Sequence, residues 1–194
     1  MKLVKFENVS PIHTVRELME NSNEDINPFI WVEIYRADIT LNFNTGPLKF
    51  TNAPIYPTAQ SLMVRSFSLN YHEVDRIQAD LLGFAGGGTL LTIDVTTDGY
   101  NLLFEPLFSE TLLFNNTRHE LGNPVLLQTS ILEFNRICGA LYKEALETID
   151  DKLENIDGVE DYFGSIPFSE GFKDAWEDYS WVLPFPPLPE DDEP

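Results

Sequence analysis

Nine apolar side chains, Leu127, Ile131, Phe134, Cys138, Leu141, Ala145, Ile149, Leu153 and Ile156, follow one another in steps of three or four residues. Only an α-helix brings that spacing onto one face. Beginning after Pro124 and stopping before Gly158, the stripe predicts a helix over residues 125–156, about 45 Å long at 1.5 Å per residue. Leu126, Leu132, Ile137 and Tyr142 fall off the main stripe in its first half, so that half is expected to be buried more widely. A long helix with one apolar face requires a second layer to cover it.

The residues before Pro124 supply that layer, because there the apolar period is two. From Phe29, Ile30, Val32 and Ile34 alternate with Trp31, Glu33 and Tyr35, and Ile39, Leu41 and Phe43 continue the pattern. This is a long strand, or one broken near Ala37-Asp38. Asn44-Thr45-Gly46-Pro47 is turn chemistry that lets Leu48–Phe50 return as a hairpin. Pro54 and Pro57 predict a loop over 52–60. Leu62, Val64, Phe67, Leu69 and Tyr71 read as a further strand with a one-residue slip, and Val74, Ile77 and Leu81 read as a helix over 72–82 closed by Gly83. Leu90–Val95 and Tyr100–Phe104 flank Thr97-Asp98-Gly99, a strong hairpin signal, and a strand at 110–114 follows Pro106. Near the N-terminus, Ser10-Pro11 followed by Ile12, Val15, Leu18 and Met19 predicts a short helix over 11–21.

The expected fold class is therefore α+β. An antiparallel sheet of about five or six strands packs against one long helix in the C-terminal half, with a short N-terminal helix and an extended C-terminal arm. The division expected is an α+β domain at 1–157 and the arm at 158–194.

Charge removes several classes of function. The chain has 32 Asp and Glu against 12 Lys and Arg, a formal net charge of -20. Nucleic-acid binding starts from cations that displace counterions from phosphates, so direct binding to DNA or RNA is disfavoured, as is an anionic membrane surface. No apolar run reaches the roughly 18 residues of a spanning helix. The opening Met1-Lys2-Leu3-Val4-Lys5 lacks the apolar segment of a secretory signal, and one cysteine, Cys138, fits a reducing compartment. The expected location is the cytoplasm of a host cell or a virion. The Asn-x-Ser/Thr triplets at Asn8 and Asn115 are then chance matches.

No residue pattern announces chemistry. Gly86-Gly87-Gly88-Thr89 lacks the Gly-Lys-Ser/Thr ending of a phosphate loop and leads into a strand pattern. His13, His72 and His119 show no metal-ligand spacing, and Cys138 sits on the apolar stripe with no neighbouring base. Paired acids such as Asp150-Asp151, Glu160-Asp161 and Glu177-Asp178 follow from composition. Neither a catalytic residue, a metal site nor a cofactor is expected, and the chain is read as a non-enzyme.

The C-terminal arm carries the functional expectation. Residues 143–194 hold 16 acidic and 3 basic side chains, and eight aromatics follow residue 159. Each large side chain left in water forgoes about 1.5–3 kcal/mol of burial, so the arm is expected either to pack back on the sheet or to dock on another protein. Ser169 is the expected cap of a short helix with Phe172, Trp176 and Tyr179 on one face. Trp181 and Phe185 follow, Glu177 and Asp178 supply rim charge, and Pro184, Pro186, Pro187 and Pro189 force an extended exit. Phe172, Trp176, Glu177, Asp178, Tyr179, Trp181 and Phe185 are thus the candidate partner-binding residues. Their expected partners are other protein subunits, in a homo-oligomer or larger assembly. The expectation is a structural or assembly protein, such as a subunit of a tailed-phage virion. The alternative is an acidic DNA mimic, of the anti-restriction or anti-CRISPR type, that presents the carboxylates of 143–161 to a basic groove.

Overall fold

The computed structural model describes residues 2–10, 35–71, 74–82, 88–107 and 111–153. The expected N-terminal helix at 11–21, the first part of the strand expected from Phe29 (residues 29–34), the Gly86-Gly87 segment and the whole arm lie outside these residues. Nine strands and two helices are described: β1 Val4–Glu7, β2 Arg36–Phe43, β3 Gly46–Pro54, α1 Ile55–Tyr71, β4 Arg76–Leu82, β5 Gly88–Val95, β6 Tyr100–Leu107, β7 Leu112–Phe114, β8 Thr117–His119, β9 Val125–Thr129 and α2 Ile131–Leu153. The α+β class holds. The single sheet does not: the strands form two antiparallel sheets, one ordered β1-β2-β3-β7-β8 and one ordered β4-β5-β6-β9.

Three hairpins follow from local turn chemistry. Asn44-Thr45 links β2 to β3, with Phe43 paired to Gly46. Thr96–Gly99 links β5 to β6, closed by the Thr96 N–H on the Gly99 carbonyl at 2.9 Å. Gly99 has φ +152°, and a Cβ there would strike the Thr129 carbonyl oxygen, so glycine is required by space as well as by conformation. Asn115-Asn116 joins β7 to β8 with both residues at positive φ. That is the backbone of a tight two-residue hairpin, which asparagine tolerates. Asn8 also has φ +54°, so the first asparagine of each glycosylation-like triplet has a conformational reason to be there.

The break expected near Ala37-Asp38 is a bulge. Register shifts between Ala37 and Ile39, where Asp38 of β2 faces two residues of β3. The second of these, Asn52, has φ +49° and donates its N–H to Asp38 Oδ1 at 2.9 Å. Asp38 Oδ2 accepts from Asn8 at 2.9 Å and pairs with Lys49 at 3.1 Å, while Lys49 also reaches Glu7 at 3.5 Å. Burial pushes the Asp38 carboxyl up, but the Asn52, Asn8 and Lys49 contacts outweigh it and hold it below the ordinary value. Glu7 is lowered by its hydrogen bond and attraction to Lys5, with Lys49 adding to them. Lys49 is raised by its hydrogen bond to Asp38. Depressed carboxylates contribute stability above their unfolded pKa and lose it as pH falls through the folded one; a raised lysine contributes below its unfolded pKa and fails only in strong alkali. Stability is therefore expected to stay level from weakly acidic to mildly alkaline pH and to decline below about pH 4. Urea melts of the protein and of Lys49→Met check this, the variant giving the shallower acid decline.

Two segments exchange type relative to the sequence reading. Residues 62–71, expected as a strand, belong to α1, and the loop expected at 52–60 is the end of β3 and the first turns of that helix. The buried face of α1 is Ile55, Thr58, Ala59, Leu62, Met63, Ser66 and Leu69. Its helical period is hidden in sequence because Thr58, Ala59 and Ser66 are not strongly apolar. Pro57 falls in the first turn, where no N–H is required. Conversely the helix expected at 72–82 contains β4: Ala79 and Leu81 face inward with half-buried Ile77, while Arg76, Gln78 and Asp80 face out.

The helix expected over 125–156 begins six residues late. Val125–Thr129 is a strand paired with β6, from Phe104↔Val125 to Tyr100↔Thr129. Ser130 then caps α2: its Oγ accepts the Glu133 N–H at 3.1 Å, and the Phe134 N–H reaches the Ser130 carbonyl at 3.0 Å. The Ser-x-x-Glu signature of such a start is present in the sequence. Glu133 also accepts Thr129 Oγ1 at 2.8 Å and the Asn44 N–H at 2.5 Å, which ties the first hairpin to the helix start. Ser130→Ala is expected to cost about 1 kcal/mol, read from denaturant melts.

All these elements except β8 contribute to one core. Phe50 of β3 meets Phe104 of β6 edge to face at 5.9 Å, which joins the inner faces of the two sheets. Phe134 of α2 meets Tyr100 of β6 at 5.5 Å in the same manner. Ile137, Cys138, Leu141, Ala145 and Ile149 continue the buried stripe, but Leu126 and Leu132 are exposed, so the expected wider burial of the first half fails at those two positions. Between α1 and α2 lies a buried polar contact, Ser66 Oγ to Asn135 Oδ1 at 2.7 Å, extended by Asn70 Nδ2 at 3.2 Å.

Candidate functional site

Each sheet has two outer strands whose free side is unpaired among the described residues: β1 and β8 in one sheet, β4 and β9 in the other. Natural edges are usually blunted by brevity, charge or cover, since an open ladder templates pairing with another chain. β1 carries Lys5 and Glu7, joined at 2.7 Å. β8 has three residues and carries Arg118, ion-paired to Glu120. β4 carries Arg76 and Asp80 and packs against α1.

Among the described residues β9 has neither charge nor cover. Its five residues, Val-Leu-Leu-Gln-Thr, are uncharged and free of proline and bulge. Val125, Leu127 and Thr129 face the core, whereas Leu126 is 65% exposed beside half-buried Leu103 of β6. Leu121 before the strand is 67% exposed, and Leu132 in the first turn of α2 is 54% exposed. Of the six large hydrophobic side chains found exposed among the described residues, these and Ile131 make four. In a chain of net charge -20, residues 121–132 contain no charged residue. An apolar, neutral, unpaired strand edge can do one thing chemically: accept another strand through backbone hydrogen bonds while its exposed leucines are covered.

The residues chosen from sequence, Phe172, Trp176, Glu177, Asp178, Tyr179, Trp181 and Phe185, all lie outside the described residues. Sequence reasoning misses Leu121, Leu126 and Leu132. Their signal is the uncharged run from Leu121 to Leu132, within which a Ser-x-x-Glu cap at Ser130 separates a strand from the helix. Cys138 is fully buried, and burial pushes its thiol well above the ordinary range. Among the described residues no three His, Cys, Asp or Glu side chains gather into a group that could hold a metal ion, and no helix is long and apolar enough to cross a membrane. Comparison with models of known protein families, with curated proteins and with solved structures found no match.

Proposed function

We propose that this protein is a non-enzymatic assembly subunit, such as one of a tailed-phage virion, that works through contacts with other protein subunits. The observation that carries the reading is the neutral apolar edge at 121–132, a surface suited to a protein strand and to little else. The composition of 158–194 adds to it: aromatics joined to a proline stretch gain stability by lying on a surface, at a lower entropic cost than a glycine-rich tail. Trp176, Trp181 and Phe185 are the anchors in this reading. The DNA-mimic alternative draws less support, because Glu144 pairs with Lys2 at 2.7 Å and Glu147 lies 3.9 Å from Lys143, so two of its phosphate-like charges already face cations.

Removing residues 180–194 tests the arm. The truncated chain is expected to keep its circular dichroism and to self-associate on the order of tenfold more weakly, with Trp181→Ala reproducing much of the loss. Light scattering over a concentration series supplies the measurement. Loss of folded structure on truncation would make the arm part of the core, and unchanged assembly would make it idle.

A further inference from the structure

The assembly reading names no contact between copies; the β9 edge supplies one. We infer that β9 pairs antiparallel with β9 of a second copy about a two-fold axis beside Leu127, which makes a continuous eight-stranded sheet from two four-stranded ones. This inference rests on the assembly reading and specifies its surface and partner.

Three observations select a second copy as the occupant. The first is charge. A protein partner drawn to a chain of net charge -20 would be basic and would seek carboxylates, and residues 121–132 offer none. Two copies meeting at that neutral segment place no like charges face to face there, although their bodies repel at longer range.

The second is register. A side-chain period of two means that a pairing must keep both inner faces on the same side. Antiparallel pairing centred on Leu127 does so over the full length of the strand. It sets Val125 opposite Thr129 of the second copy and Leu126 opposite Gln128, so buried residues continue one core face and outward residues meet outward ones. The same strand edge on both copies is self-complementary, as a two-fold contact requires.

The third is the contrast among edges. Among the described residues, β1, β4 and β8 carry charge or cover, and β9, flanked by exposed Leu121 and Leu132, has neither.

The test uses the full chain. Sedimentation velocity is run at low and high salt on the wild type, on Leu126→Asp and on Gln128→Lys, with circular dichroism confirming that each variant is folded. Wild type is expected to form a dimer that strengthens as salt screens the repulsion between acidic bodies. Each variant alone is expected to weaken it by about tenfold or more. Mixing the two is expected to restore it, because the carboxylate introduced on one chain then faces the ammonium introduced on the other. Backbone amides of β9 should become protected from hydrogen exchange as concentration rises. A wild-type chain that stays single under all conditions overturns this inference, whereas the assembly reading, which also admits other protein subunits, falls only if those are not bound either. Self-association that survives Leu126→Asp but is lost on deleting 180–194 overturns the β9 pairing alone, and so does a mixture that fails to recover.

Discussion

Phe104→Ala is expected to destabilise the protein by about 3–5 kcal/mol, the range for truncating a buried aromatic ring. Phe104 is fully buried on β6, and its contact with Phe50 of β3 bridges the two sheets, so the cavity would open at their junction. Collapse around the cavity is resisted because the ring's neighbours belong to separate ladders, each fixed by its own register. Leu103→Ala, one residue away on the outer face and half-buried, is expected to cost less than about 1 kcal/mol. Urea melts of both variants with unchanged denaturant slopes would decide it. Equal losses would mean that the inner faces do not meet at Phe104.

The second large effect lies on α2. Leu141→Ala is expected to cost about 2–5 kcal/mol, since Leu141 is fully buried in the middle of the stripe that faces the core. Glu147→Ala, six residues on, is expected to change stability by less than about 0.5 kcal/mol, because its side chain is 45% exposed and its 3.9 Å approach to Lys143 is a weak surface pair. Denaturant melts compare the two directly, and similar losses would show that the stripe is not a buried face.

These expectations rest on features of unequal legibility. The hairpins at Asn44-Thr45-Gly46 and Asp98-Gly99 can be read because a turn is specified by residues adjacent in sequence. The central part of α2 can be read because its stripe is long. The α1 and β4 segments read the wrong way round for opposite reasons. Thr58, Ala59 and Ser66 dilute the helical stripe of α1, and the weakly apolar Ala79 leaves Val74, just before β4, with Ile77 and Leu81 within it as a false helical spacing. Period two reveals which residues face inward and not which strands pair. The crossing from β6 in one sheet to β7 and β8 in the other, and back to β9, is therefore invisible in the pattern. Pro106 marks part of it: β9 pairs β6 only as far as Phe104, so among the described residues Pro106 pairs with β5 alone and its missing N–H is tolerated.

The interaction surface is legible in kind and not in place. Aromatic and acidic bias draws attention to residues 158–194, outside the described structure. Leu126 and Leu132 are instead absorbed into a helix that starts too early. The boundary at Ser130 puts Leu126 on the outward face of β9 and Leu132 in the first turn of α2, off its buried face.

The proposed β9 pairing requires the full chain to associate with copies of itself. Its most direct test is the mass of the full chain in solution, measured by multi-angle light scattering behind a sizing column over a wide range of concentration at physiological salt. The expected mass lies above that of one 22.1 kDa chain and rises with concentration toward two chains or more. A mass of one chain at every concentration would contradict it.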